Sequence, residues 1–417
     1  MDSDADEAST APRERQEDAD PSPQTHYLEV TQADVARGVD MQGIDWNRMP
    51  MSREMSRQFR EQHITHRHNI GGMSKMADEK IDSIRPDGDF YRFSNSYLTE
   101  RCKIMHFQLR NLLWASSRND VYYACDTRVR HWNPILREAR TALGAKLETT
   151  EQPAGHIRTS TMCCRDNILF AGGFYGDYCC RKLDDSANEN YHTGSITDDP
   201  NGITTQVEIV QQRSGARAAL IASNDAHLRF MDLTTFQETA DFELPWAVNC
   251  AAQSPDRLLV CAVGDETDAV ILNARDGQVA TMLPGHIDYS FACSWSPDGR
   301  VIATGNQDTT TRLYDTRMMS RAFRVLGGRM GSIRSLRFTD DGAFMAMAEA
   351  ADFVHIFDTR TWERSQVIDM FGDIGGIAFS PGDSDRLFII NDDKDTFGAL
   401  MEFERAWSPH AAMNWLL

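Results

Sequence analysis

The sequence predicts an all-β fold made of seven repeated four-stranded units, and three observations predict it. Beyond Phe90 the chain runs in short stretches of β-branched and aromatic residues, each ended by Gly, Asp, Asn or Pro. The intervals are too short for helix-containing units. Related stretches then recur in register: LLWASSRNDVYYACDTRVRHW to Trp132, LFAGGFYGDYCCRKLD to Asp184, IASNDAHLRFMD to Asp232, VCAVGDETDAVILN to Asn273, a long unit from Gly285 to Arg317, AMAEAADFVHIFD to Asp358 and LFIINDDKDTFGALMEF to Phe403. Spread over residues 102–405, these give about 43 residues per unit, the spacing of blades in a ring. Alternation as in Arg334-Ser335-Leu336-Arg337-Phe338 gives each strand a face to bury, and one blade alone cannot bury both faces. The expectation is a seven-bladed β-propeller over residues 90–405.

What precedes the ring differs in kind. Residues 1–39 are expected to form a disordered acidic tail: the first 20 carry eight acids against two arginines, a large share of the formal net charge of −19, with little apolar surface to bury. Residues 40–89 are expected to hold a short amphipathic helix and a linker. Trp46 is the first large anchor, and after Pro50 come Met51, Met55 and Phe59 at i, i+4 and i+8, with Arg53, Arg57 and Arg60 on an adjoining stripe. That spacing predicts a helix whose apolar stripe covers a surface on the propeller or a partner, its arginines facing acidic groups. Phe90-Tyr91-Arg92-Phe93 is expected to complete the last blade from the N-terminal side, which removes an exposed edge. Residues 406–417 are expected to be a C-terminal tail.

The most regular unit is GHIDYSFACSWSPDGRVIATGNQDTTTRLYDTR, from Gly285 to Arg317. Its His286, Thr304, Asp308 and Tyr314 are spaced so that a loop, the second strand, the following turn and the third strand share one buried hydrogen-bond network. Networks of this kind stiffen a fold when every member is satisfied, so these residues are assigned a structural role rather than metal binding or acid–base work. Asp298-Gly299 and Asp341-Gly342 supply the turns, glycine taking the positive φ.

This unit resembles a WD repeat along nearly its whole length. The segments DMQGIDWNRM (40–49), HFQLRNLLWASSRNDV (106–121), YSFACSWSPDG with GNQDTTTRLYD, and MAMAEAADFVHIFD (345–358) are similar to a largely uncharacterised group of WD-repeat proteins of fungi and plants. The resemblance covers about residues 40–405 and implies a propeller with an interaction role, without a substrate. Departures are visible: one unit keeps Gly-His, and the Trp-Asp ending becomes Tyr314-Asp315 or Phe357-Asp358.

Catalytic and membrane classes find no support. No apolar run approaches the 18 or so residues of a membrane span, and the acidic start MDSDADEAST is not a secretory leader; the location expected is cytoplasmic or nuclear. The nine cysteines include no C-x-x-C pair and are read as reduced, half-buried residues. No phosphate-binding loop, G-x-S-x-G elbow or H-E-x-x-H occurs, so no enzyme activity, cofactor or metal is expected. The histidines at 63, 66 and 68 are read as solvated, and the acid pairs Asp340-Asp341 and Asp392-Asp393 as turn residues. The acidic balance argues against nucleic acid as a partner.

The function expected is a protein-binding scaffold. Candidate partner-binding residues are Trp46, Met55 and Phe59, together with a basic run that includes Arg317, Arg321, Arg324 and Arg329, a possible docking patch for an acidic peptide or phosphate. The endings Tyr314-Asp315-Thr316-Arg317 and Phe357-Asp358-Thr359-Arg360 also look like the W-D-x-R ending by which some WD-repeat proteins dock on cullin-RING ubiquitin-ligase adaptors. The alternative is accordingly a ligase substrate receptor acting through Arg317 and Arg360.

Overall fold

A computed structural model describes residues 28–63, 69–70, 81–144, 157–183, 191–392 and 398–406. Residues 1–27 of the acidic tail, His66 and His68, and residues 407–417 lie outside the described residues.

Two strands precede the repeats, β1 (Glu29–Thr31) and β2 (Tyr91–Tyr97), with the helices α1 (Gln32–Ala36) and α2 (Arg53–His63) between them. Five sheets then follow, each of four antiparallel strands. The first contains β3 to β6 (Leu113–Ser117, Asp120–Cys125, Arg128–Asn133, Glu138–Leu143) and the second β7 to β10 (Thr159–Arg165, Ile168–Gly173, Asp177–Lys182, Tyr191–Ser195). The third contains β11 to β14 (Thr204–Gln211, Arg217–Ser223, His227–Asp232, Glu238–Glu243) and the fourth β15 to β18 (Val248–Gln253, Leu259–Gly264, Ala269–Asn273, Val279–Leu283). The fifth contains β19 to β22 (Ser290–Trp295, Val301–Asn306, Thr310–Asp315, Arg324–Gly327). The remaining strands are β23 to β25 (Ile333–Phe338, Phe344–Glu349, Ala351–Asp358), the 15-residue β26 (Ser365–Phe379), β27 (Arg386–Asp392) and β28 (Leu400–Arg405). They join one eight-stranded sheet in the order β1-β2-β28-β27-β26-β25-β24-β23. Its length comes from β26, which pairs with β25 through its first part and with β27 through its second. We read it as two units sharing one strand, which maps the seven sequence repeats onto six sheets.

The first strands of successive sheets pack side by side from β3 through β7, β11, β15, β19 and β23 to β26, which returns to β3. Their residues are small where they converge, such as Thr161, Ala251, Ala292 and Ser335, all buried. Each pairs with its neighbour through a register shift, as at Ser290/Ala292 and Ile333/Ser335, and the added twist turns the strands about a common axis. Closure depends on Gly375 and Gly376. Leu112 N–H donates to Gly375 O at 3.1 Å, and a Cβ on Gly376 would stand 3.0 Å from both the nitrogen and the Cβ of Leu113.

The expected closing strand is present: β2 pairs with β28, from Tyr91 opposite Arg405 to Tyr97 opposite Leu400. The reading of residues 1–39 as a disordered tail is corrected for its final part. β1 extends the same sheet, Glu29 opposite Tyr97 and Thr31 opposite Asn95. Val30 is fully buried in the apolar cluster of Ile389, Met401 and their neighbours. Thr31 then caps α1, its side chain accepting from Asp34 N–H while the Asp34 carboxylate accepts from Thr31 N–H. One buried valine and a reciprocal cap suffice to order the segment, signals too sparse for a composition argument to register.

Candidate interaction surface

The helix expected after Pro50 forms, but it docks by its other face. In an 11-residue helix Arg53, Arg57 and Arg60 share one side, at i, i+4 and i+7, and that side meets the propeller. Asp352, fully buried, accepts from Arg57 Nη1 at 2.7 Å, from Arg60 Nε and Nη2 at 2.6 and 2.8 Å, and from Gly372 N–H at 2.8 Å. Asp369 accepts from Arg57 Nη2 at 2.7 Å and from Arg53 Nη2 at 2.8 Å. The Arg57 guanidinium also lies over Phe353 and Phe371, 4.5 and 4.3 Å from the ring centroids. Bidentate pairing and ring stacking together are what arginine supplies and lysine does not. Of the two surfaces expected for the apolar stripe, the propeller or a partner, the propeller is not the one it covers: Met55 is 56% and Phe59 49% exposed, while Arg57 is buried and the arginines face acidic groups as expected. The cause is the complementary charge beneath the helix. Two carboxylates, Asp352 near the start of β25 and Asp369 within β26, make the arginine face the better fit, and Met55 and Phe59 are turned outward.

Trp46 belongs to the same dock. Its indole N–H donates to Asp40 at 2.8 Å, and its ring lies 4.9 Å from that of Phe371. The Gln42 side chain exchanges two hydrogen bonds with the Phe371 backbone, at 2.7 and 2.6 Å. Trp46 thus anchors residues 40–63 to the chain itself. His63 stacks on Phe59 with ring centroids 4.0 Å apart.

In the most regular unit the structure brings His286, Thr304 and Asp308 together. His286 Nδ1 lies 2.8 Å from Asp308 Oδ2 and its Nε2 2.9 Å from Thr304 Oγ1. Thr310 donates to Asp308 from its backbone and its hydroxyl at 2.9 and 2.7 Å, and the Tyr314 hydroxyl donates to Pro284 O at 2.8 Å. All four predicted residues are buried. Burial raises the Asp308 carboxyl's pKa, but His286 and Thr310 outweigh it and hold it below its usual value. The next unit substitutes Glu349, which accepts from the backbone N–H groups of Arg329 and Met330 at 2.7 and 2.8 Å and lies 2.7 Å from His355 Nε2. Both networks tie the turn after the second strand to the connection entering the unit. They occupy the end of the ring on which α2 docks.

The basic run does not form one patch. Arg312 and Arg334 are buried, Arg324 lies 3.6 Å from Asp82, and Arg329 stands over Phe353 at 5.2 Å. Arg321 is exposed in the turn before β22. Strand alternation disperses the run over both faces and the interior. Arg317 and Arg360 follow the third strands of their units, at the end of the ring opposite α2. Both are exposed, yet each is held by its own blade's acid: Arg317 Nε lies 2.9 Å from Asp315 and Arg360 Nε 3.3 Å from Asp358. Arg317 holds the Asp315 carboxyl down at about 2.

Around the ring axis, a cavity is lined by Gln108–Asn111, Thr205-Gln206, Asn249-Cys250, Phe291–Cys293 and Arg334–Arg337. Three arginines line it: Arg334 and Arg337 belong to the basic run read from the sequence, and Arg110 was not singled out there. Among the described residues no group of three or more His, Cys, Asp or Glu side chains is placed to hold a metal, and no helix is long and apolar enough to cross a membrane.

Comparison with known proteins agrees with this architecture. Residues 277–315 match the family model "WD domain, G-beta repeat", and residues 331–369 match an uncharacterised protein domain, DUF2415. Guanine nucleotide-binding protein subunit beta-1 of Nicotiana tabacum is 26% identical over 203 residues, which cover 35% of this chain and 54% of that protein. The beta subunit of Arabidopsis thaliana is 24% identical over 221 residues, covering 38% and 59%. The chain thus spans little more than half the length of the curated relatives it matches. A chain of the crystal structure of the mitotic checkpoint complex superposes with a TM-score of 0.59 at 14% identity, over 82% of this chain and 100% of that one, a likeness of fold alone. With sheets ordered about an axis, a repeat match centred on the His286 unit and this structural likeness, the chain is a WD-repeat β-propeller protein.

Proposed function

We propose that this protein is a non-catalytic scaffold that binds protein partners on its propeller faces, with the outer side of α2 as a principal contact. One observation carries the reading: a helix pinned by Arg–Asp pairs, of which Arg57–Asp352 is buried, presents Met55 and Phe59 to solvent, at 56% and 49% exposure. Exposed apolar residues on a rigid support are suited to a partner's apolar pocket. The named relatives are a subunit of a larger protein and a chain of a complex, in keeping with a role in assembly. The cytoplasm or nucleus is the proposed location, in keeping with nine free cysteines of which eight are buried. The test is affinity purification with crosslinking mass spectrometry, comparing wild type with Met55→Glu/Phe59→Glu. Partner crosslinks near α2 that disappear in the variant support the reading, and partners retained unchanged overturn α2 as the contact.

The receptor reading draws on the exposure of Arg317 and Arg360 on adjacent units. Its requirement is that Arg317→Ala/Arg360→Ala abolish capture of a ligase adaptor; a wild type that captures no adaptor removes it.

A further inference from the structure

We infer that the axial cavity between Arg110 and Arg334 binds a single phosphate group. The two guanidiniums are 6% and 8% exposed and lie on one wall of the same cavity. Arg334 is positioned but not neutralised. Its Nη2 donates to Gln307 at 2.7 Å and its guanidinium lies 3.6 Å from the centroid of the Phe291 ring, while Nε and Nη1 have no partner among the described residues. Arg110 Nη1 donates to His106 O and Leu109 O at 2.8 and 3.3 Å. Its Nη2 lies 3.4 Å from Asp373, a carboxylate 56% exposed, and its Nε is unpartnered. The nearby buried Asp288 already accepts from Asn69 and from Tyr289 N–H.

Asp373 reaches Arg110 only at 3.4 Å, and Asp392 and Asp288 favour the charged forms of Arg110 and Arg334 at longer range, yet three buried nitrogens of the pair lack an acceptor, a costly arrangement unless an anion supplies one. Burial first, and then the neighbouring Arg110, hold the Arg334 pKa down to about 9. Burial and both arginines likewise depress His106. Phosphate fits on two counts. A doubly charged oxyanion balances two cations and accepts several charge-assisted hydrogen bonds at once. The cavity has a volume of about 30 Å³, room for one small group. Gln108 also lines the cavity and can add a neutral donor, whereas Asn111, Thr205 and Asn249 already donate to Met162 O, Val248 O and Ser290 O. The source is free phosphate or a phosphorylated side chain of a partner.

The experiment is thermal unfolding of the full chain in phosphate, chloride and acetate at matched ionic strength, with calorimetric titration of phosphate into wild type. Phosphate should raise Tm saturably, by about 4 °C at roughly a hundred-fold excess over Kd, and acetate should not. Arg334→Met should melt higher than wild type without phosphate and lose the response. Arg110→Met carries the same readout if the first variant does not fold. A phosphoserine peptide that binds in competition with phosphate, when its unphosphorylated form does not, assigns the source to a partner; phosphate binding without peptide binding assigns the free anion. No heat and no Tm shift, an equal shift in both variants, or an equal response to acetate overturns the inference. Any of these results leaves the scaffold reading at Met55 and Phe59 untouched, since neither residue borders this cavity.

Discussion

Replacing Asp352 with Asn tests whether α2 is held by charge. Asp352 has φ of +71°, a conformation asparagine tolerates, so the substitution changes charge and little else. It removes the negative charge and one of the two acceptor oxygens, the one shared by Arg57 Nη1 and Arg60 Nε, and leaves Arg57 with Asp369 and the Met370 carbonyl. Removing one partner of a buried pair costs about 3 kcal/mol at the lower end of the known range. That cost should appear locally. An isolated helix of 11 residues is marginal in water, and α2 buries no large apolar side chain of its own, so the cheapest response is for it to leave the surface while the ring stays closed. At 1.4 kcal/mol per factor of ten, opening becomes roughly 100-fold more frequent. Hydrogen exchange measures this directly: amides of residues 56–63 should exchange about 100-fold faster, with those of β24 and β27 unchanged. Unchanged protection in α2 would refute charge as the anchor. An equal loss across helix and sheets would refute local release.

Four further outcomes are expected. Gly376→Val should lower the stability of the whole ring by about 1–3 kcal/mol through overpacking against Leu113, seen as a lower Tm; an unaltered melt would show that the closure tolerates a side chain. Val30→Ala should cost about 2 kcal/mol and increase proteolysis between residues 28 and 40, which a structureless segment would not show. Asp308 sits below its ordinary 3.8, so its contribution is present above that pH and is lost as pH falls through the folded value. The urea midpoints of wild type and Asp308→Asn should therefore converge below about pH 4, and a constant difference from pH 3 to 7 would contradict the assignment. Met55→Glu/Phe59→Glu should melt within about 0.5 kcal/mol of wild type, as exposed positions do; a large drop would mean that the two side chains are covered.

How far the sequence disclosed this depends on the kind of signal. Strand patterns and the Gly285–Arg317 unit repeat a local physical requirement, so the sheets, the closing strand at Tyr91 and the His286–Thr304–Asp308 cluster were legible. The site around α2 was half legible. The stripes Met51-Met55-Phe59 and Arg53-Arg57-Arg60 were both visible, but which faces inward is decided by the buried Asp352 and the half-buried Asp369, some 300 residues later in the chain. Apolar periodicity assumes an apolar acceptor, and here the acceptor is a pair of carboxylates flanked by phenylalanines. Arg334 escaped for a related reason: within its own strand it looks like one arginine of a basic run, and only closure of the ring brings it beside Arg110.

The sharing of β26 by two units has a mechanical meaning. At the other seams no strand is shared: the neighbouring sheets meet through side chains, which can slide by changing rotamers, and through isolated backbone bonds such as Leu112 N–H to Gly375 O. From Ser365 to Phe379 the backbone itself crosses the seam, hydrogen-bonded to β25 before it and to β27 after it. Relative tilting of these two sheets must bend a paired strand, so this sector acts as the stiff arc of the ring and breathing is displaced to the remaining joints. α2 is moored on that arc, through Asp369 in β26 and Asp352 beside it. Whatever binds Met55 and Phe59 therefore pulls on the part of the molecule that yields least.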